Sequence, residues 1–245
     1  MKFKPVFMGI IGLLWVVSGF LTGLVAGANR EMVTCEDGNS FLIKEGRIVE
    51  VANAPIVKGD LIIIDTWKLR LTLYRNGKML RTYPVAIGEP ETPTPIGEWK
   101  IIHKGGNWGD GFGERWMGLN VPWGIYGIHG TNKPWTIGSR ASHGCVRMFN
   151  HNVLELYELI KLGTPVHITG EMPKVSPRQE IVRDNTGRDV VVIQFRLRHQ
   201  SFDPGIADAR FGEKMEQAVN ELQHFYGLAI TGKITLNEQY LLKVR

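Results

Sequence analysis

Two shortages narrow what this chain is: it has almost no cysteine and no block of like charge. Cys35 and Cys145 are its only thiols among 245 residues, which allows at most one disulfide and supplies no Cys-x-x-Cys pair for a structural zinc site. Basic residues outnumber acidic ones, 29 to 24, giving a net charge of +5 and a pI near 9.2. They are spread along the chain rather than gathered into a stripe, which argues against nucleic acid as a partner and leaves the excess compatible with an anionic polymer or surface. With 43% hydrophobic and 22% charged residues the composition is that of a globular protein, long enough for one good core or two modest ones.

Charge is missing altogether from Pro5 to Asn29, where Phe7, Ile10, Ile11, Leu13, Leu14, Trp15, Val16, Val17, Phe20, Leu21, Leu24 and Val25 dominate. At 1.5 Å per residue, about 20 such residues cross a hydrocarbon core of roughly 30 Å. Lys2 and Lys4 precede the run, so the positive-inside tendency keeps the N-terminus cytoplasmic and sends the rest outside. Ala26-Gly27-Ala28 has the small residues of a signal-peptide cleavage site, whereas the length of the apolar run favours a retained anchor. The expectation is a transmembrane anchor or signal peptide over 1–29, then a membrane-proximal spacer with some strand over 30–58, placing the working part on the outer side of the membrane.

From Leu61 the pattern turns to β-structure. Leu61 to Ile64 form a continuous apolar run, Leu69, Leu71 and Leu73 alternate with Arg70 and Thr72, and Asn76-Gly77 joins them to the stretch from Met79 to Ile87. Period-two alternation meeting Asn-Gly predicts a hairpin. Further strands are predicted at Trp99 to His103 and Gly124 to Ile128, separated by a Gly- and Trp-rich segment, 104–117, read as a loop too polar for the core. One helix is predicted at about 152–162, capped by Asn150 or Asn152, with Val153, Leu156, Tyr157 and Ile160 on one face and Gly163 and Pro165 stopping it. The β-rich catalytic domain is placed at 59–169 and a linker at 170–188. A small three-helix domain follows at 189–245, from the stripes Val190, Ile193, Leu197 and Met215, Ala218, Val219, Leu222, Phe225, with Thr235 and Glu238 as a capping box.

The chemistry is concentrated between His129-Gly130-Thr131 and Ser142-His143-Gly144-Cys145-Val146-Arg147. A thiol with a pKa near 8.5 needs a neighbouring imidazole or helix N-terminus to act as a nucleophile at neutral pH, and an acyl intermediate needs donors for its oxyanion. His129 is the candidate base, the Gly130 carbonyl its orienting partner, and the Gly144 and Cys145 amides the candidate oxyanion site. Arg147 suits a substrate carboxylate. On the residues alone a zinc site of His129, His143 and Cys145 and a purely structural cluster stay open as alternatives. Cys35 reads as a small, partly buried hydrophobe.

These residues resemble the L,D-transpeptidases with the YkuD-type catalytic domain, whose pattern is a His followed further along by Ser/Thr-His-Gly-Cys. The likeness covers about 59–169 and extends to Leu69-Leu71-Leu73 with Asn76-Gly77, to Thr92-Pro93-Thr94-Pro95-Ile96-Gly97 and to Ile128-His129-Gly130-Thr131. It implies a mainly β, sandwich-like catalytic domain with one or more short helices. It further implies that Cys145 attacks a tetrapeptide stem of peptidoglycan, releases the terminal D-alanine and passes the acyl group to an amine of another stem as a 3→3 cross-link. His129 then looks like the base and Gly130 its orienting carbonyl. Ser142, His143 and Gly144 would be walls and oxyanion donors, and Tyr126 and Arg147 would be substrate contacts. Arg147 stands where many members have Asn, which bears on substrate details. No cofactor is implied.

The tail resembles the three-helix peptidoglycan-binding domain found beside wall enzymes, through Val190 to Arg198 with Gln194, Phe202-Asp203-Pro204-Gly205, Phe211-Gly212, Ala218-Val219 with Gln223, Gly227-Leu228 and Thr231-Gly232. Asp208-Ala209-Arg210 replaces the more usual Asp-Gly ahead of Phe-Gly. The partners implied are the stem peptides and glycan of the wall, with the membrane as anchor. An L,D-carboxypeptidase that hydrolyses the same thioester and a non-catalytic wall-binding protein are the alternative readings.

Overall fold

The structure, a computed structural model, describes the strands at 31–34, 40–44 and 47–50 and residues 58–106 and 109–245. The expected anchor over 1–29 and Cys35 lie outside the described residues. Within the predicted spacer, β1 (Glu31–Thr34), β2 (Ser40–Lys44) and β3 (Arg47–Glu50) pair antiparallel in that order. Among the described residues, no helix is long and apolar enough to cross a membrane.

The rest of the chain is built on ten strands: β4 (Asp60–Asp65), β5 (Arg70–Arg75), β6 (Lys78–Pro84), β7 (Ile87–Gly88), β8 (Gly97–Gly106), β9 (Arg115–Leu119), β10 (Gly127–His129), β11 (Arg140–Ser142), β12 (Val146–Arg147) and β13 (Pro165–Thr169). Eight of them form one sheet in the order β12-β10-β9-β8-β13-β4-β5-β6, and β7 pairs with β11 in a separate two-stranded ribbon. The continuous run Leu61 to Ile64 is buried on both faces of β4, an interior strand between β13 and β5, which is why it is apolar throughout rather than alternating. Leu71 and Leu73 point inward while Arg70 and Arg75 stay exposed, and Asn76 and Gly77, at φ of 51° and 75°, supply the left-handed pair that a type I′ hairpin demands. Both ends of the sheet feed one apolar cluster, Leu71 and Leu73 from one side and Met117, Ile128 and Val146 from the other. The fold is therefore mainly β, as expected, but its hydrogen-bonded order runs through a single curled sheet rather than two stacked ones.

Two local expectations are corrected. The segment 104–117 is not a polar loop: β8 continues to Gly106, β9 starts at Arg115, and Trp116 and Met117 are buried. Its glycines mask a strand that lies between β8 and β10 and is buried from Trp116 to Leu119. The helix α1 spans Asn150–Leu159, starting two residues earlier than predicted; its N-cap is Phe149, which has no side-chain acceptor, and Asn150, already inside the helix, accepts the Thr131 backbone N–H on its Oδ1 at 3.0 Å instead. Val153, Leu156 and Ile160 pack on the sheet as predicted.

The C-terminal helices are α2 (Arg188–His199), α3 (Glu213–Phe225) and α4 (Leu236–Leu241), around a second core of Val190, Ile193, Leu197, Met215, Val219 and Leu222. The Thr235–Glu238 capping box opens α4. The segment read as a linker is not a free tether: Ile181 is fully buried and exchanges backbone hydrogen bonds with Ile234, both at 2.9 Å. Arg178 also donates two 2.7 Å bonds to Asp189.

This helical region is fastened to the sheet. Val191, Ala207 and Ala209 belong to the sheet's own apolar cluster, and Arg198 donates to the Glu98 carboxylate at 2.7 and 3.1 Å. The Ala207 N–H donates to Glu98 as well, at 2.8 Å. Burial opposes the Glu98 charge, but the Arg198 charge and hydrogen bonds outweigh it and hold the carboxyl below the ordinary range. Replacing Glu98 with Gln strips the buried guanidinium of its counter-charge, and we expect urea unfolding to show a loss of about 3 kcal/mol. A cost below about 1 kcal/mol would mean the pair is solvated in solution.

Candidate active site

The site grows from a short parallel pairing. β10 and β12 register Ile128 with Val146 and His129 with Arg147, and Ile128 and Val146 both face the core. Successive residues of a strand alternate between faces, so Cys145, alongside Gly127, and His129 share the opposite face two positions apart. Consistent with that placement, the Gly127 backbone N–H faces the Cys145 thiol.

The floor of this face is aromatic. Gly118 of β9 lies directly across from Gly127 of β10, and the Trp116 ring lies over both: a Cβ added at Gly127 would sit 2.6 Å from its Cζ2. Trp116 also stacks on the His129 imidazole, centroids 5.4 Å apart, and Phe112 meets that imidazole edge-on at 5.2 Å. His129 is buried, and its Nδ1 lies 2.5 Å from the Gly130 carbonyl. A carbonyl only accepts, so Nδ1 carries the proton and Nε2 holds the lone pair of the neutral ring.

The turn carrying Cys145 is held from inside. Ser142 Oγ donates to the Cys145 carbonyl at 2.6 Å and accepts the Gly144 N–H at 3.1 Å. The Ser142 carbonyl in turn accepts the Glu89 N–H at 2.9 Å and the Thr92 hydroxyl at 3.3 Å, which ties the Thr92–Pro95 turn to the site. Gly144 has φ of +113°, and a Cβ there would meet the Tyr126 ring at 2.7 Å, so both the backbone and the neighbour require glycine. The Arg147 Nη1 donates to the Ala141 carbonyl at 2.9 Å, while its Nε is buried without a partner.

Burial pushes the Cys145 thiol up, with the Gly127 N–H and the Arg147 charge pulling the other way. Burial lowers His129 to about 4; the Gly130 carbonyl favours its proton, the Arg147 charge disfavours it, and the Phe112 backbone favours it. At neutral pH Cys145 is a thiol and His129, on the same face of the sheet, an unprotonated imidazole, a combination suited to base-assisted attack by sulfur on a carbonyl.

A family model for the L,D-transpeptidase catalytic domain (YkuD) matches residues 59–168, and one for a peptidoglycan binding domain matches 186–239. YkuD of Bacillus licheniformis is 46% identical over 99 residues, 40% of this chain and 59% of that protein. YqjB of Bacillus subtilis is 32% identical over 132 residues, 48% of this chain and 75% of that one. Both carry L,D-transpeptidase in their names. The chain belongs to the L,D-transpeptidase family. The catalytic domain of an E. faecium L,D-transpeptidase, solved by NMR, is also similar, at 26% identity over 46% of this chain and 98% of that one, with a TM-score of 0.40. The chain spans about three fifths of the length of the YkuD relatives it matches.

The structure brings the candidate site residues Cys145, His129, Gly130, Ser142, Gly144, Arg147 and Tyr126 together on one sheet face and the adjoining turns. His143 stands exposed at the turn's tip. The Gly144 amide, read from sequence as an oxyanion donor, is already committed to Ser142, leaving the Cys145 amide as the candidate of the two. Ser142 braces the turn from within, through its bonds to the Cys145 carbonyl and the Gly144 N–H. Among the described residues, no group of three or more His, Cys, Asp or Glu is placed to hold a metal ion. Trp116 and Phe112 were not anticipated; the signal was the alternation Arg115-Trp116-Met117-Gly118-Leu119, hidden by the glycines on either side.

An imidazole at about 4 when folded and about 6.5 when unfolded means that the unfolded chain binds more protons between those values. Stability therefore rises with pH across that window and falls on acidification from 7 to 4, by up to about 3 kcal/mol. We expect His129→Gln to flatten this slope in thermal melts at a series of pH values; an unchanged slope would place the imidazole in water.

Proposed function

We propose that this protein cross-links peptidoglycan on the outer side of the membrane, using Cys145 as an acyl carrier. His129 Nε2 takes the thiol proton as sulfur attacks the carbonyl that precedes the terminal D-alanine of a tetrapeptide stem. The C–N bond breaks, the same proton passes to the leaving amine, and D-alanine departs, leaving the stem as a thioester on Cys145. A side-chain amine of a second stem then attacks the thioester carbonyl, restores the thiol and completes a 3→3 link. The Cys145 amide faces the oxyanion, and the uncommitted Arg147 Nε is the donor for an anionic group of the substrate.

The observation that carries this reading is the register of β10 with β12. It sets thiol and imidazole on one face, and the Gly130 carbonyl fixes the tautomer that leaves Nε2 basic. The match over 186–239 supports a wall polymer as the partner of the helical region. In this reading the charge-free stretch within 1–29 is the membrane tether.

The test is intact-protein mass spectrometry of the full chain incubated with a carbapenem, beside Cys145→Ala. One adduct that is absent from the variant is expected; no adduct, together with slow alkylation of Cys145, would overturn covalent catalysis and favour a wall-binding role alone. Incubation with disaccharide-tetrapeptide then separates the two enzymatic outcomes. Cross-linked dimer with D-alanine supports transpeptidation, and tripeptide with D-alanine but no dimer would make the enzyme a carboxypeptidase. We expect the acid limb of kcat/KM to fall well below pH 6, following His129 in the free enzyme; a limb near 6.5 would show that burial does not hold the imidazole down before substrate binds.

A further inference from the structure

The segment 120–126, joining β9 to β10, carries Tyr126 onto the nucleophile's turn; its ends are fixed by Val121 in the sheet's core and by the Leu119 N–H, which donates to the Tyr126 carbonyl at 2.8 Å, while its tip stands out in solvent. Gly124 is exposed and Ile125 is 84% exposed. Its support comes from two sides. The sheet supplies Lys100, whose N–H donates to Asn120 Oδ1 at 2.7 Å, and Trp99, whose ring meets Trp123 edge-on at 5.6 Å. The helical region supplies Arg210, whose Nη2 donates to the Asn120 carbonyl at 2.8 Å, and Arg188, the first residue of α2, whose guanidinium lies 6.0 Å from the Trp123 ring centroid. Trp123 then meets Tyr126 at 6.4 Å, and Tyr126 closes on Gly144, next to Cys145.

We propose that the helical region is a positioning element of the active site: through Arg210 on Asn120 and Arg188 over Trp123, it sets the 120–126 segment so that Tyr126 seats against the Gly144–Cys145 turn. This rests on Cys145 being the acyl carrier. A module that only gripped the wall would serve on any tether. This one is fixed in orientation by the buried Glu98–Arg198 pair and by Val191, Ala207 and Ala209 in the sheet's core, and Arg210 is itself held by a 3.1 Å bond from its Nη1 to the Asp208 carbonyl. Small displacements of groups that orient a substrate slow reaction far more than they destabilise a fold.

The experiment compares the full wild-type chain with Arg210→Ala, Arg210→Lys and Arg188→Ala in three measurements: the second-order rate of carbapenem acylation, the rate of Cys145 alkylation by iodoacetamide, and sedimentation with purified peptidoglycan. Arg210→Ala is expected to acylate about 10- to 100-fold more slowly, with alkylation, sedimentation and melting temperature at wild-type values and partial recovery in Arg210→Lys. Should Arg210→Ala melt lower, Arg188→Ala, which removes the guanidinium over the Trp123 ring, decides the question by the same comparison. Acylation within twofold of wild type in folded variants would overturn the proposal, and so would alkylation slowed as much as acylation. Failure of the wild-type protein to acylate at all would instead remove the reading on which the proposal rests.

Discussion

Parallel pairing between β10 and β12 is the constraint on which the rest of the site depends. Two parallel neighbours cannot be joined by a tight turn; the chain must leave the sheet and return over a dozen or more residues. Here the crossover is the stretch 130–145, so the spacing between His129 and the Ser-His-Gly-Cys run is the length of that excursion. Part of the excursion, β11, is held by β7, and the Ser142 carbonyl is tied to Glu89 and Thr92. The returning strand therefore arrives with Val146 opposite Ile128. A one-residue slip would turn Cys145 and Arg147 into the core and Val146 out toward His129. Burial of Ile128 and Val146 in the main cluster opposes that slip, so core packing on one face enforces catalytic geometry on the other.

Much of this was legible in the sequence wherever one local rule acted alone. Asn76-Gly77 specified its hairpin, Thr235 with Glu238 specified the cap of α4, and the spacing of Val190, Ile193 and Leu197 specified α2, because each depends on neighbours along the chain. Pieces that depend on distant partners were not legible. Asn150 resembles a helix cap, yet Thr131 claims its side chain, and no local pattern announces a bond between residues on different elements. Trp116 in its glycine-rich surroundings reads as loop until β8 and β10 are placed on either side of it. The 170–188 stretch has the composition of a tether, but Ile181 finds Ile234 and Arg178 finds Asp189, both far along the chain or beyond a turn. Among the candidate site residues, the motif singled out Cys145 and His129, while the aromatic box around the imidazole and the internal use of the Gly144 amide came only from the fold.

The electrostatics of the site explain why the resting pair is neutral and what changes that. Phe112 and Trp116 keep water from His129, which makes an imidazolium costly before substrate arrives. Arg147, register partner of His129, adds a positive charge that favours a thiolate at Cys145 and disfavours a proton on the ring. Burial outweighs that pull at the thiol, so at rest sulfur keeps its proton. In the proposed acyl transfer the charge would appear as an oxyanion and an imidazolium together, with the Cys145 amide and the Arg147 cation favouring the oxyanion. Oxidation proceeds through the thiolate, so the burial that pushes the Cys145 thiol up also keeps it out of the form that oxidants attack.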